Sequence, residues 1–311
     1  MKNSYLGIIG FGSQGKRIFS ILRKFKFKNI VIFKINKFHE NKKLYTNNFN
    51  EIKKCDIVFV CSPNNTHFKY IKSLEKKTYI FCEKPPVNNI KELNKIKKMN
   101  LNKVYFNYNY RFSEINSSLQ SIKKYNFGKL LYGNIVMAHG LASKKNYNIS
   151  WRSKDRGGVY DILGIHIIDL ILNNYKIHLI TKKLGKFISN YSVDNANFTI
   201  RLKNFGQIDC YVSYSTPYKQ KFEFIFENGL LEIDNKSICF RGPRDTFDNK
   251  GFFITPRILY KKKFNQKNDY DLSLEKSVNY FLKCFKNNRS FKKKDTKISL
   301  KSNELMLRNF E

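Results

Sequence analysis

The stretch that decides the fold is YLGIIGFGSQG, residues 5–15. Tyr5 to Ile9 reads as a short apolar strand, and Gly10-Phe11-Gly12-Ser13-Gln14-Gly15 follows it as GxGxxG. Behind the loop, Ile18, Leu22 and Phe25 recur near helical spacing, so the expected order is strand, glycine loop, helix. In that setting each glycine has a separate task. The first permits a tight turn, the second lets a pyrophosphate approach the backbone, and the third lets the helix pack close to the strand with its N-terminal amides facing an anion. The plain alternative, a glycine turn that holds nothing, is less consistent with a buried strand in front and a helix behind.

Three further apolar runs continue an alternating β/α pattern. Asn29 to Phe33 ends where an NAD-binding loop places a carboxylate to accept from the ribose 2'-OH. Here Lys34 stands in that place, with Asn36 and Lys37 close behind, and no Asp or Glu occurs between Gly15 and Glu40. A cation tolerates a 2'-phosphate, so the expectation leans to NADP over NAD, against the reading of one more surface lysine. Asp56 to Cys61 runs into Ser62-Pro63-Asn64-Asn65-Thr66-His67, and Thr78 to Cys82 runs into Glu83-Lys84-Pro85-Pro86. Both segments place polar groups beyond a strand's C-terminal end, the edge where open parallel sheets bind ligands. Lys84 precedes a proline pair that restrains its backbone, which would aim its amine into the crevice; otherwise it is a turn lysine.

Composition narrows the function classes. A chain of 311 residues is long enough for two domains. The 59 Lys and Arg against 24 Asp and Glu give a formal charge of +35, which would ordinarily suggest nucleic acid. The lysines are spread in pairs and triplets, such as Lys76-Lys77 and Lys261-Lys262-Lys263, and Asn, Ile, Phe and Tyr are raised with them, as an AT-rich codon bias produces. A solvated surface and no nucleic-acid partner is the expectation. Six cysteines without CxxC spacing argue against a metal site and for a reduced, cytoplasmic setting. No apolar run approaches ~18 residues, so no membrane span is expected.

GFGSQG, CSPNNTH, CEKPP, NYNYRF (107–112), WR (151–152) and GGVYDILGIHIIDL (157–170) occur in an order and spacing that resemble the glucose-fructose oxidoreductase, inositol dehydrogenase and MocA (Gfo/Idh/MocA) family. The resemblance implies a doubly wound Rossmann domain for NAD or NADP, followed by an α+β domain with a large, open, mostly antiparallel sheet. It also implies reversible oxidation of a secondary alcohol on a sugar, inositol or nucleotide sugar, plausibly in surface-polysaccharide synthesis. On this resemblance Lys84 polarises the reacting hydroxyl and His166 is the general acid or base. Gly10 to Gly15 and Lys34 hold the cofactor. Cys61, Ser62, Pro63, Asn64 and His67 line its adenosine and nicotinamide side, and Glu83 lies beside the nicotinamide ribose. Trp151 and Arg152 match a pair close to cofactor or substrate. Tyr110, Arg111, Asp161 and Asp169 are substrate candidates.

One departure stands out. Family members commonly carry D-x-G-x-H, but the position four before His166 is Ile162. Asp161 lies five before it, ~140° away at ~100° per residue if the segment is a regular α-helix. Asp169 is better phased. Either the reaction runs with Lys84 and His166 alone, which is favoured, or the site has been retuned; a non-catalytic dinucleotide-binding regulator is the alternative function.

The second half reads as strands over 130–138, 198–203, 207–213, 221–226, 229–233 and 236–240, with hairpin turns at Asn228-Gly229 and Asp234-Asn235. Helices are expected over 271–287 and 299–310. The division is placed at 1–118 for the cofactor domain and 119–311 for substrate binding and assembly into a homodimer or homotetramer. Arg241, Arg244 and Lys262 are weak candidates for holding an anionic substrate.

Overall fold

The four apolar runs of the first half form β1 (Leu6–Ile9), β2 (Ile30–Phe33), β4 (Ile57–Val60) and β5 (Tyr79–Glu83), and two strands not expected from the sequence, β3 (Tyr45–Thr46) and β6 (Val104–Asn107), join them in a parallel sheet. The computed structural model describes residues 4–35, 44–74, 78–154 and 157–308; Asn36, Lys37, Lys76 and Lys77 lie outside them. The strand order is β3-β2-β1-β4-β5-β6. Every residue of β1, β4, β5 and β6 is buried, the pattern of a sheet covered on both faces. The crossover helices are α1 (Ser13–Lys24), α2 (Phe49–Lys53), α3 (His67–Leu74) and α4 (Ile90–Ile96). In α1 the buried stripe is Gly15, Ile18 and Leu22, whereas Phe25 is only partly covered. Strand order reverses between β2 and β4 on either side of β1, so the crevice expected to bind a ligand lies beyond the C-terminal ends of β1 and β4.

The second unit continues with α5 (Glu114–Ser121), β7 (Leu130–Ala138), α6 (Trp151–Lys154), a wide π-helical turn (Tyr160–Gly164), α7 (Ile165–Asn174), β8 (Ile177–Gly185) and β9 (Asn195–Leu202). Then come β10 (Gln207–Ser213), β11 (Lys219–Phe226), β12 (Gly229–Ile233), β13 (Ser237–Arg241), β14 (Ile258–Lys263) and the first turns of α8 (Gln266–Lys286), while the rest of α8 and α9 (Lys293–Leu307) belong to the first unit. The eight strands pair in the order β14-β13-β12-β11-β7-β10-β9-β8, antiparallel except for β10 beside β7. Both expected hairpin turns are present, between β11 and β12 and between β12 and β13. The sequence reading missed β8 and β14. Each is an edge strand, and β14 (ILYKKK) is exposed along nearly its whole length, so it lacks the apolar alternation that marks a half-buried strand.

The division at 118/119 differs from the compact units, which are Met1–Asn109 with Leu274–Leu307, and Tyr110–Ser273 with Arg308–Glu311. The final helix begins at Lys293 rather than Ser299, and Asn309 and Phe310 lie outside the described residues. An aromatic core brings the late helices back to the first sheet. The ring of Phe281 on α8 lies 5.5 Å from Phe59 and 5.3 Å from Phe81, and stacks on Phe291 at 5.5 Å with 8° between planes. No helix among the described residues is long and apolar enough to cross a membrane. Truncation of the fully buried ring in Phe281→Ala should destabilise the protein by about 3–5 kcal/mol, read as a lower urea midpoint with the slope retained.

Candidate functional site

Gly10 leaves β1 with φ +88°, a left-handed conformation that strains any side chain. Space forbids one as well, because a Cβ there would stand 2.6 Å from both Cα and N of Ser62. Gly15, in the first turn of α1, packs against the Gly10 carbonyl so closely that a Cβ would collide with it. Gly12 is different: nothing lies within 4 Å of where its Cβ would be. Packing therefore explains the first and third glycines, and an unfilled approach remains at the second. Gly12 is also the N-cap of α1, contributes no side-chain cap, and is followed by a first turn without acids. Uncapped amides at the positive end of a twelve-residue helix are a fitting cradle for a phosphate group.

The loops beside this cradle are tied to one another. Gln14 Nε2 donates to Glu83 Oε1 at 3.0 Å, and Asn107 Nδ2 donates to the same oxygen at 2.7 Å. Asn107 in turn accepts from Ser277 Oγ at 2.7 Å, and Ser277 shares a 2.8 Å hydrogen bond with the Tyr105 hydroxyl. Burial raises the Glu83 pKa, against the pull of these donors and of Lys84. Lys84 itself is half-buried at the end of β5, and Asn303 Oδ1 of α9 accepts from the Val87 amide just beyond it at 2.9 Å.

His67 corrects the expectation that it lines the cofactor. It is fully buried, with Nδ1 2.8 Å from the Pro85 carbonyl and Nε2 2.9 Å from the Ser62 carbonyl, so its ring serves the protein's own loops. Burial lowers its pKa and nearby Lys84 adds to that, while the two carbonyls oppose it. Ser62 Oγ is 2.6 Å from Thr66 Oγ1, Asn64 is buried in the turn that follows Pro63, and burial drives the Cys61 thiol well above its ordinary pKa. Lys34 lies with its amine 4.2 Å over the ring of Tyr45, whose edge meets Phe11 of the glycine loop at 6.0 Å.

In the second unit, His166 is buried on α7 with its ring 5.0 Å from that of Tyr110. The turn before it is not a regular α-helix, since the Ile165 amide reaches the Tyr160 carbonyl five residues back. The regular-helix geometry on which the count from Asp161 to His166 rested is therefore not met. The Asp161 carboxylate packs against Gly157, and its charge raises the pKa of Lys182, which burial lowers more strongly. Lys182 lies 4.7 Å over the Tyr160 ring. Asp169 is corrected in the other direction. Arg111 takes both its oxygens, Nη2 to Oδ1 at 2.5 Å and Nε to Oδ2 at 2.8 Å, and the carboxylate is almost completely buried. A bidentate pair of this kind secures α7 and engages both Asp169 oxygens.

Trp151 and Arg152 are half-buried, with the guanidinium 4.8 Å over the indole. Arg241, Arg244 and Lys262 pair with Glu232, Asp245 and Glu114 at 2.8, 3.3 and 2.7 Å, which weakens their candidacy as anion holders. The sequence reading missed Asn107, Ser277 and Asp194. Asn107 ends β6 in the NYNYRF motif and was within reach, whereas Ser277 has no local signal. Among the described residues no group of His, Cys, Asp and Glu could hold a metal ion.

Asp194 supports the turn into the histidine helix. Fully buried by its neighbours, it accepts from the amides of Phe187, Ile188 and Ser189 at 2.7–2.8 Å, and the adjoining Val193 carbonyl accepts from Val159 at 2.8 Å. Burial alone would raise its pKa, but the three amides and Asn195 together hold it below the ordinary 3.8.

Residues 6–104 match the family model described as "Oxidoreductase family, NAD-binding Rossmann fold", the Gfo/Idh/MocA model. No curated protein sequence matches the chain. Solved structures match over nearly its whole length. A myo-inositol dehydrogenase from Corynebacterium glutamicum shares 18% identity, with 97% of this chain and 94% of that one covered and a TM-score of 0.72. An oxidoreductase from Agrobacterium radiobacter in complex with NAD+, L-tartaric acid and magnesium shares 13%, covering 97% and 94% at 0.75. A levoglucosan dehydrogenase in complex with NADH and levoglucosan shares 16%, covering 97% and 95% at 0.75. At such identities the likeness is one of fold.

Two outcomes are expected. Gly10→Ala should lower the thermal midpoint sharply, since both φ and space forbid the methyl. The stability contributed by Asp194 is fully present above the unfolded carboxylate pKa and is lost as pH falls through its lower folded value, so Asp194→Asn should flatten the acid limb of a stability-against-pH curve. A wild-type slope in the variant would refute that role.

Proposed function

We propose, from a first unit whose residues 6–104 match the model of the Gfo/Idh/MocA NAD-binding oxidoreductase family, that the chain is an NAD(P)-dependent oxidoreductase acting on a secondary alcohol of a sugar, inositol or nucleotide sugar. The observation that carries the reading is the open approach at Gly12 at the uncapped head of α1, where the neighbouring glycines are fully accounted for by packing. When bound, the nicotinamide cofactor supplies the hydride acceptor or donor. Gly10 to Gly15 would cradle its pyrophosphate, the Ser62-Pro63-Asn64 turn and Cys61 would flank it, and Glu83 would meet the ribose. Trp151 and Arg152 are assigned to the cofactor or substrate side.

NADP is favoured over NAD. Lys34, held over Tyr45, puts a cation after β2 where an NAD site carries an acid. For the chemistry we assign Lys84 to stabilise negative charge as it develops on the substrate oxygen, and His166 to take or return the hydroxyl proton. An imidazole with an unperturbed pKa near ~6.5 suits that exchange at cellular pH. Tyr110 lies against the His166 ring, and Asp161, whose carboxylate packs on Gly157, stays a substrate-side candidate. The regulator reading rested on Ile162 at the usual acid position, and the π turn weakens that support.

The sugar-derivative class is supported by what the levoglucosan and inositol dehydrogenases are named for. A role in surface-polysaccharide synthesis extends that class. A cytoplasmic homodimer or homotetramer is supported by six free thiols and by exposed Leu131, Tyr132 and Ile225 on the eight-stranded sheet.

Mass spectrometry of the purified protein should find bound NADP or NAD. Gly12→Val should lower the thermal midpoint only slightly, through the loss of a tolerated N-cap, and weaken cofactor binding at least about tenfold, or 1.4 kcal/mol. An unaltered affinity would remove the cradle from consideration. Lys34→Glu should shift the NADP/NAD affinity ratio towards NAD. On a substrate found by screening sugars and polyols, Lys84→Ala should reduce turnover by about 10²-fold or more; undiminished turnover would refute its assignment.

A further inference from the structure

The first unit contains a cavity of about 590 Å³ away from the glycine loop, at the edge of the sheet where β6 begins. Met99, Leu101, Phe291 and Leu300 line it with apolar surface, and Lys97, Lys293, Lys297 and Lys301 line it with charge. The Phe291 amide closes one side by donating to the Asn102 carbonyl at 3.0 Å. Lys293, Lys297 and Lys301 recur every four residues along α9, so they share one face.

A single acid in the lining answers these four cations. Glu304 accepts from Lys97 at 3.1 Å and from Lys301 at 3.3 Å, and although burial opposes it, the two lysines hold its carboxyl below the ordinary range. Lys293 and Lys297 are exposed, and neither stands in an ion pair among the described residues. Like charges four apart repel along a bare helix, and here they do so beside a recess that is more apolar than polar. A ligand that relieves both conditions at once has one anionic group and an apolar body.

We propose that this cavity binds an amphipathic anion, a carboxylate or phosphate monoester on an apolar body. The body occupies the recess over Leu101, Phe291 and Leu300, and the head is held by Lys293 and Lys297. The site does not depend on the proposed activity, since it uses no residue of the glycine loop, the Lys84 segment or the histidine helix.

Isothermal titration of the full chain with decanoate and with decyl phosphate tests it, with decanol and inorganic phosphate as single-feature controls. Saturable binding of one decanoate or decyl phosphate per chain is expected, whichever head binds the tighter. Binding should weaken at least about tenfold in Lys293→Glu/Lys297→Glu. The double variant Lys292→Glu/Lys294→Glu, which changes net charge equally at exposed positions just before and within the first turn of α9 but outside the lining, should bind as wild type does. Equal weakening in both double variants, or inorganic phosphate binding as tightly as the amphipaths, would reduce the effect to bulk charge and overturn the proposal. Absence of binding by either amphipath also overturns it.

Discussion

The contact on which the rest of the candidate site depends is backbone against backbone, Gly10 on Ser62. It sets the loop after β1 directly on the loop after β4, and no side chain can be interposed. From there the arrangement propagates by hydrogen bonds. His67 joins Ser62 to Pro85 and so joins the loops after β4 and β5. Glu83 joins the end of β5 to Gln14 in the glycine loop and to Asn107 at the end of β6. Four strand ends are thereby tied by the side chains of Gln14, His67, Glu83 and Asn107, and Gly12 remains the place where the backbone is open.

The His67 geometry is chemically informative. Both ring nitrogens face carbonyl oxygens, which only accept, so a neutral imidazole satisfies one of them and an imidazolium satisfies both. Burial and Lys84 favour the neutral ring, and the carbonyls favour the charged one. This opposition explains why a histidine is placed there although it touches no solvent. Substitution by an apolar ring would leave two carbonyls without donors inside the loop junction.

Much of the fold was legible because its signals are local. A strand, a glycine loop and an amphipathic helix lie within YLGIIGFGSQG and the residues behind it, and the hairpin turns at Asn228-Gly229 and Asp234-Asn235 lie within a few residues. What was not legible is long-range or non-standard. Nothing near Phe281 says that its helix packs on Phe59 and Phe81, so the chain could not be divided correctly from pattern alone. Counting at ~100° per residue assumed a regular helix before His166, and a single wide turn is enough to change which residues share a side. Asp169 looked available because the sequence could not reveal that Arg111 already holds it. Lys34 was read correctly as a cation after β2, while its seat over Tyr45 required the fold.

The discontinuity of the first unit has a consequence for how the polypeptide emerges during synthesis. Strands β1 to β6 are made early, but the rings that cover Phe59 and Phe81 come from residues translated only after all of Tyr110–Ser273. The segment made in the middle can close its sheet while the earlier one still exposes aromatic surface. The aromatic core of the first unit can therefore be completed only once Leu274–Leu307 has been synthesised, after the whole middle segment.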